Sequence, residues 1–311
     1  MEQHRMTHEI DVSAPEELVY RLIADAAKWP LRFDPTVHVE RTALGAGAER
    51  LAIWALANGE VKHWTSRRDL DAGAGRVRFR QEVSTPPVAS MGGEWVVTPE
   101  GAGSRLTLHH EFTAIDDDPA GVAWIRQATD SNSRAELANL KALAETAARR
   151  AELTFSFSDE VVIASPAEPA YEFLYAAGRW PERLPHVAGL ELREPTPNLQ
   201  LMTMETKAAD GSVHTTESAR VCFPHHRIVY KQLVPPKLMT AHLGEWSCTD
   251  VPGGVRVTAA HTVTVNEPAI AAVLGRAAGV PEAKRFLRRA VGGNSRATLE
   301  LTKRFAEAAR G

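Results

Sequence analysis

Cysteine is almost missing from this chain. Cys222 and Cys248 are the only two in 311 residues, so no disulfide framework is expected. Neither lies in a Cys-x-x-Cys or His-rich spacing, which argues against zinc. No apolar run approaches the roughly 20 residues that a membrane-spanning helix needs. Met1–Ile10 lacks the basic-then-apolar pattern of a secretory leader. The expected location is cytoplasmic, with no membrane partner. An excess of one charge is missing too: 36 Lys+Arg against 39 Asp+Glu give a formal charge of −3, with 24% charged and 44% hydrophobic residues. Such a composition excludes a disordered tail and a nucleic-acid-coating protein. There is no Gly-x-Ser-x-Gly elbow, and the Gly73-Ala74-Gly75 turn has no helix behind it to cradle a phosphate. No cofactor is implied.

What the chain does contain is an internal repeat. Ala14-Pro15-Glu16 leads into Tyr20, Ala26, Trp29 and Pro30, and Ser165-Pro166 leads into Tyr171, Ala177, Trp180 and Pro181. The offset of 151 persists: Gly93-Glu94-Trp95 recurs as Gly244-Glu245-Trp246, and His110 as His261. Asn132-Ser133-Arg134-Ala135 recurs as Asn294-Ser295-Arg296-Ala297 at an offset of 162, which places an insertion before the last helix of the second half. A period this long means two copies of one domain, since solenoid repeats run at about 20 to 50 residues. The expected domains are 1–150 and 151–311.

Periodicity gives the order of elements within a copy. In the first, a strand over 8–13 is followed by a Pro-initiated helix over 15–27 and a helical turn over 29–33. Strand-like runs follow at 37–42, 50–56, 61–69, 76–83, 93–97 and 105–114. A helix over 130–149 closes the copy, with Asn132 and Ser133 at its start, where N-capping is the ordinary role of such residues. The fold class is α+β: tandem helix-grip domains, each a curved antiparallel sheet wrapped around a long C-terminal helix. A sheet bent in that way either packs its concave side with side chains or leaves an apolar cavity for a ligand.

Strand alternation puts Trp64, Ser66 and Arg68 on one face of 61–69, and Trp64 marks that face as inward. A buried Arg68 needs a carboxylate, a ligand oxygen or ordered water to answer it. The second copy keeps Ser218 and Arg220 on one face, with Thr216 where Trp64 stood. The order of Trp29-Pro30, Trp64-x-Ser66-x-Arg68, Met91 through Trp95 and the duplicated Asn-Ser-Arg resembles the two-domain aromatase/cyclases of bacterial type II polyketide synthases, of the START/Bet v 1-like class. The resemblance covers nearly the whole chain. It implies a lyase-like enzyme that folds a poly-β-ketone borne on an acyl carrier protein, alongside the other synthase components. Such an enzyme closes the first ring by aldol condensation, usually between carbons seven and twelve of a ketoreduced chain, and dehydrates it to an aromatic ring. It also implies that Arg68 binds and polarises a ketone oxygen.

The side chains suit that chemistry. A fixed guanidinium stabilises a developing enolate or alkoxide, but it cannot act as a base, because its pKa stays above about 12. His110 is the candidate proton carrier, with Ser66 beside Arg68, and a hydrogen-bonded core histidine is the bland alternative. Trp29, Phe33, Trp64, Met91, Trp95 and Asn132 are the candidate substrate-binding residues. Trp180, Thr216, Ser218, Arg220, Trp246 and His261 form the counterpart pocket, with Cys222 and Cys248 expected to face it. Generic core is the alternative for the aromatic residues. Ring closure is assigned to the first copy, and the second is either a dehydration site or a scaffold. The basic run Lys284–Arg289 is read as lying in the insertion, as a docking site for an acidic carrier or as a solvated helix face. A non-catalytic carrier of a lipid or another apolar ligand is the rival function, and a protein-interaction module is a third.

Overall fold

The computed structural model describes residues 1–57, 59–207 and 211–309. These divide into two compact units, Met1–Ala55 with Lys62–Ala147 and Leu56–Val61 with Ala148–Gly311. The first runs β1 (His4–Val12), α1 (Glu16–Ala24), α2 (Trp29–Arg32), β2 (Thr36–Gly45), β3 (Ala48–Ala57), β4 (Glu60–Asp71), β5 (Arg76–Gln81), β6 (Val88–Glu100), β7 (Gly103–Ala114) and α3 (Pro119–Glu145). After α4 (Ala147–Leu153) the second repeats the order: β8 (Thr154–Ile163), α5 (Ala167–Tyr175), α6 (Trp180–Arg183), β9 (Val187–Thr196), β10 (Leu199–Lys207), β11 (Val213–Phe223), β12 (Arg227–Val234), β13 (Met239–Val251), β14 (Gly254–Val265), α7 (Ile270–Leu274) and α8 (Val280–Ala308).

Each unit holds a seven-stranded antiparallel sheet, ordered β1-β7-β6-β5-β4-β3-β2 in the first and β8-β14-β13-β12-β11-β10-β9 in the second. The fold is the tandem helix-grip arrangement. In the first unit the inward residues of β1 and β7, with Val12, Leu106 and Leu108 among them, pack with Val19 and Ile23 of α1 and Leu137 and Leu140 of α3. Most buried positions of α3, among them Ile125, Thr129, Ser133, Leu137, Leu140 and Ala144, recur every three or four residues and make one face.

The sequence places the start of α3 too late. The helix begins at Pro119, because Asp118 caps it, its Oδ2 accepting from Gly121 N at 2.8 Å, and Pro119 supplies the fixed φ of a first helical residue. Asn132 therefore lies in mid-helix and is exposed, not at a cap. Ser133, beside it, is 1% exposed and faces the sheet. In the second unit α7 occupies the insertion. The basic run 284–289 lies instead in the long helix α8, with much of its charge answered: Arg285 pairs with Glu282, Arg288 gives two bonds of 2.9 Å to Asp159, and Lys284 sits 5.6 Å over the Phe155 ring.

Candidate active site

One cross-strand row organises each concave face. In the first domain Arg68 pairs with Phe79, Phe79 with Gly93, and Gly93 with His110, across β4, β5, β6 and β7. In the second the row is Arg220, Tyr230, Gly244 and His261 across β11 to β14. Directly paired residues in adjacent strands share a face, so each cation and its histidine look into the same interior, with an aromatic ring between them. The glycine makes room for that ring. A Cβ at Gly93 would lie 2.6 Å from Phe79 Cζ and 2.2 Å from the His109 carbonyl, and one at Gly244 would lie 2.0 Å from Tyr230 Cζ.

Arg68 is 2% exposed. Its Nε donates to Glu49 Oε1 at 3.0 Å and its Nη2 to the same carboxylate and to the Ala24 carbonyl, while Nη1 donates to the Ile23 carbonyl at 3.0 Å. The guanidinium lies 5.0 Å from the Trp29 ring centroid. Of the three answers the sequence left open, the structure supplies a carboxylate, and four of the five guanidinium hydrogens are engaged. Burial pushes the Arg68 pKa down, and the bond to Glu49 opposes that shift. No motif marks Glu49 in the sequence, although alternation puts it on the buried face with Leu51 and Ile53, where an acid is costly unless paired.

Arg220 is 1% exposed and differently served. Its Nη2 donates to the Leu174 carbonyl at 2.7 Å, and Nη1 is buried without a partner. The residue in the place of Glu49 is Gln200, whose amide donates to Glu194 at 2.8 Å. Glu194 also accepts from the Tyr175 hydroxyl at 2.5 Å and from Asn198 N at 2.6 Å. Its pKa stays low although burial alone would raise it. The negative charge is thus moved one residue back from the cation.

His110 is held at about pKa 4, by burial first and by His8 second, so it is neutral at pH 7. Its Nδ1 is 3.4 Å from Ser133 Oγ, and its ring meets Phe79 edge-on at 5.6 Å. His109 points the other way and bonds Thr7 Oγ1 at 2.9 Å. Ser66 is buried and donates to the Arg80 carbonyl at 3.2 Å, so its hydroxyl ties β4 to β5. Trp29, Phe33, Trp64, Met91 and Trp95 are half-buried although they sit on the inward side, so solvent reaches the first concave face. Trp29 meets Phe33 edge-on at 5.7 Å.

The corresponding face of the second domain is more deeply buried. Trp180, Thr216, Ser218, Arg220, Trp246 and His261 are all buried and line a cavity of about 120 Å³. Cys222 and Cys248 do not line it; they sit in the apolar core, and burial pushes both thiols up to about pKa 11. His242 does line it, at the position where the first domain has Met91. Its Nε2 is 3.0 Å from His261 Nδ1 and its Nδ1 is 3.0 Å from Gln232 Oε1, while His261 Nε2 is 2.8 Å from Ser295 Oγ.

The family described as "Polyketide cyclase / dehydrase and lipid transport" matches the chain twice, over residues 3–145 and 154–307. The chain belongs to this polyketide cyclase/dehydrase family. It is 47% identical over 309 residues to the granaticin polyketide synthase bifunctional cyclase/dehydratase of Streptomyces violaceoruber, covering 98% of this chain and 95% of that protein. It is 44% identical over 307 residues to the actinorhodin polyketide synthase bifunctional cyclase/dehydratase of Streptomyces coelicolor, covering 96% and 95%. Among solved structures, the di-domain ARO/CYC BexL from the BE-7585A biosynthetic pathway superposes with a TM-score of 0.91 at 53% identity, covering 98% of this chain and 99% of that one. The di-domain ARO/CYC StfQ from the steffimycin pathway gives 0.88 at 34% identity, covering 98% and 99%. The polyketide cyclase/dehydrase resemblance thus spans both copies of the repeat. Among the described residues no cluster of three or more His, Cys, Asp or Glu could hold a metal, and no helix is long and apolar enough to cross a membrane.

Proposed function

We propose that the protein is a bifunctional aromatase/cyclase of a type II polyketide synthase. It takes a ketoreduced poly-β-ketone from an acyl carrier protein, closes the first ring by intramolecular aldol condensation between carbons seven and twelve, and dehydrates that ring. The duplicated Arg-aromatic-Gly-His row, in a chain so close to proteins named cyclase/dehydratase, is the observation that carries the reading. Ring closure belongs to the first domain, whose half-exposed aromatic wall admits a long flexible chain and restricts its bends. His110, neutral at pH 7, removes the proton from the nucleophilic carbon. The remaining Nη1 hydrogen of Arg68 stabilises the oxyanion as charge develops, in a position that Glu49 and Trp29 fix beforehand.

The test is product analysis with a reconstituted minimal synthase and ketoreductase. Wild type should convert shunt products into one ring-closed aromatic product. That conversion should disappear with His110→Gln and with the double replacement Arg68→Met/Glu49→Met, which removes the ion pair without leaving either charge alone. An unchanged product profile on adding wild type would sink the enzyme reading.

A further inference from the structure

We propose that the cavity of the second domain is a dehydration site for one preformed six-membered ring, and that His242 acts there with His261 as a coupled pair that carries the eliminated proton. The proposal rests on the aromatase/cyclase reading and gives the dehydration half of it a location, a substrate size and a proton path.

Size comes first. Drug-sized ligands occupy roughly 300 to 1,000 Å³, whereas a cavity of about 150 Å³ accommodates a benzene ring. At about 120 Å³, lined by the buried Trp180 and Trp246, this cavity is scaled to a single ring and not to a folded chain. The occupant is a compact β-hydroxy ketone made elsewhere.

The polar lining matches the elimination such a ring undergoes. Gln232 presents its carbonyl oxygen to His242 Nδ1, so that nitrogen carries the hydrogen and His242 Nε2 is an acceptor. His261 Nδ1 therefore donates to His242 Nε2, which leaves His261 Nε2 with its lone pair, facing the Ser295 hydroxyl at 2.8 Å. The hydrogen bonds run in one direction from Ser295 through both rings to Gln232. Burial, then the neighbouring His261, lowers His242 to about pKa 3, and burial above all lowers His261 to about pKa 4, so both are neutral and ready to accept at pH 7. A lone imidazolium in this dry setting would be costly. With His242 accepting from Nδ1, the charge that arises when His261 takes a proton is shared over two rings.

The step balances without a co-reactant. The carbon beside the ketone gives its proton to Ser295 Oγ as the Ser295 hydrogen passes to His261 Nε2, the C–H pair becomes the enolate double bond, and the carbonyl pair moves onto oxygen, which the unpartnered Nη1 of Arg220 receives. The enolate then re-forms the ketone and expels the β-hydroxyl, which leaves as water with the proton returned from the histidine pair. One C–H and one C–O bond break, one C=C forms, and the protein ends as it began. The first domain lacks the relay, since Met91 and Phe79 stand where the second has His242 and Tyr230, and only Ser133 accompanies His110, at 3.4 Å.

The experiment compares the full-length protein as wild type, His242→Gln, His242→Met and His242→Ala in the reconstituted synthase, with thermal melting of each variant. Gln and Met keep the volume and remove the proton carrier, and Met reproduces the residue of the first domain. Both should melt close to wild type and still close the ring. Their dehydration should fall by about 10²-fold, with build-up of a ring-closed product one water heavier. Added imidazole should restore dehydration to His242→Ala, which a purely structural role would not permit. Wild-type dehydration in His242→Gln would overturn the proposal, as would loss of ring closure together with dehydration that imidazole leaves unrestored. A wild-type protein without effect on the synthase products would instead overturn the reading beneath it.

Discussion

Glu49 accepts from both Nε and Nη2 of Arg68, whereas the equivalent Gln200 of the second domain is turned toward Glu194 and leaves Arg220 with an unpartnered nitrogen. The same cation is neutralised at contact in one copy and at one remove in the other. Removing one member of a buried pair in contact strands the other, at a cost of about 3 to 5 kcal/mol, while replacing both members by apolar residues of similar volume is often neutral or favourable. Glu49→Gln should therefore destabilise the protein by about 3 kcal/mol in urea unfolding. Arg220 has no carboxylate in contact to strand, so Arg220→Met should cost less stability than Glu49→Gln while dehydration is lost. Equal losses from the two replacements would contradict the asymmetry.

Acid sensitivity follows from the three buried histidines. His110 and His261 sit at about pKa 4 and His242 at about 3, all below the ordinary 6.5. As pH falls below 6.5 the unfolded chain takes up protons that the folded chain refuses. Stability is therefore full above pH 6.5 and declines as pH drops toward 4, by about 2 kcal/mol at pH 5 for each histidine that stays neutral. Chemical denaturation at pH 7.5, 6 and 5 checks the slope, and His110→Gln or His242→Gln should flatten it. The lowered carboxylates Asp159 and Glu194 add stability that is full at neutral pH and is lost only at the acid end of this range, as pH falls through their unfolded values.

The two row glycines should respond differently to a methyl group. At Gly93 the added carbon meets a backbone oxygen at 2.2 Å, so the β6–β7 ladder must yield and Gly93→Ala should cost more than about 2 kcal/mol. At Gly244 the nearest atoms all belong to the Tyr230 ring. Gly244→Ala should cost less stability and instead swing that ring into the small cavity, abolishing dehydration while ring closure persists. Melting temperatures and product profiles of the pair separate the two outcomes.

Much of this architecture is legible in the sequence, because duplication prints it twice. Trp29-Pro30 and Trp180-Pro181 mark the helical turn that brings an indole under each arginine, and period-two alternation places Arg68 and Arg220 inward. What escapes is what depends on register between strands. Glu49 becomes the partner of Arg68 only when β3 and β4 lie side by side. His242 reads as one more difference between the copies until β13 and β14 pair His242 with Val263 and Gly244 with His261, making the two histidines diagonal neighbours. The start of α3 escapes for a local reason, since its capping signal is Asp118-Pro119 and the weakly amphipathic turns after it hide the true start.

The half-exposed wall of Trp29, Phe33, Trp64 and Trp95 also carries a calorimetric consequence. A ligand that covers these rings removes wet apolar surface and must register as a negative heat-capacity change. The smaller cavity around His242 and His261 can cover only one ring, so a single-ring ligand entering it should show a smaller negative heat-capacity change. Titrating a long linear ligand and a single-ring ligand into the same molecule at several temperatures would sort them by domain from the slope of the heat alone.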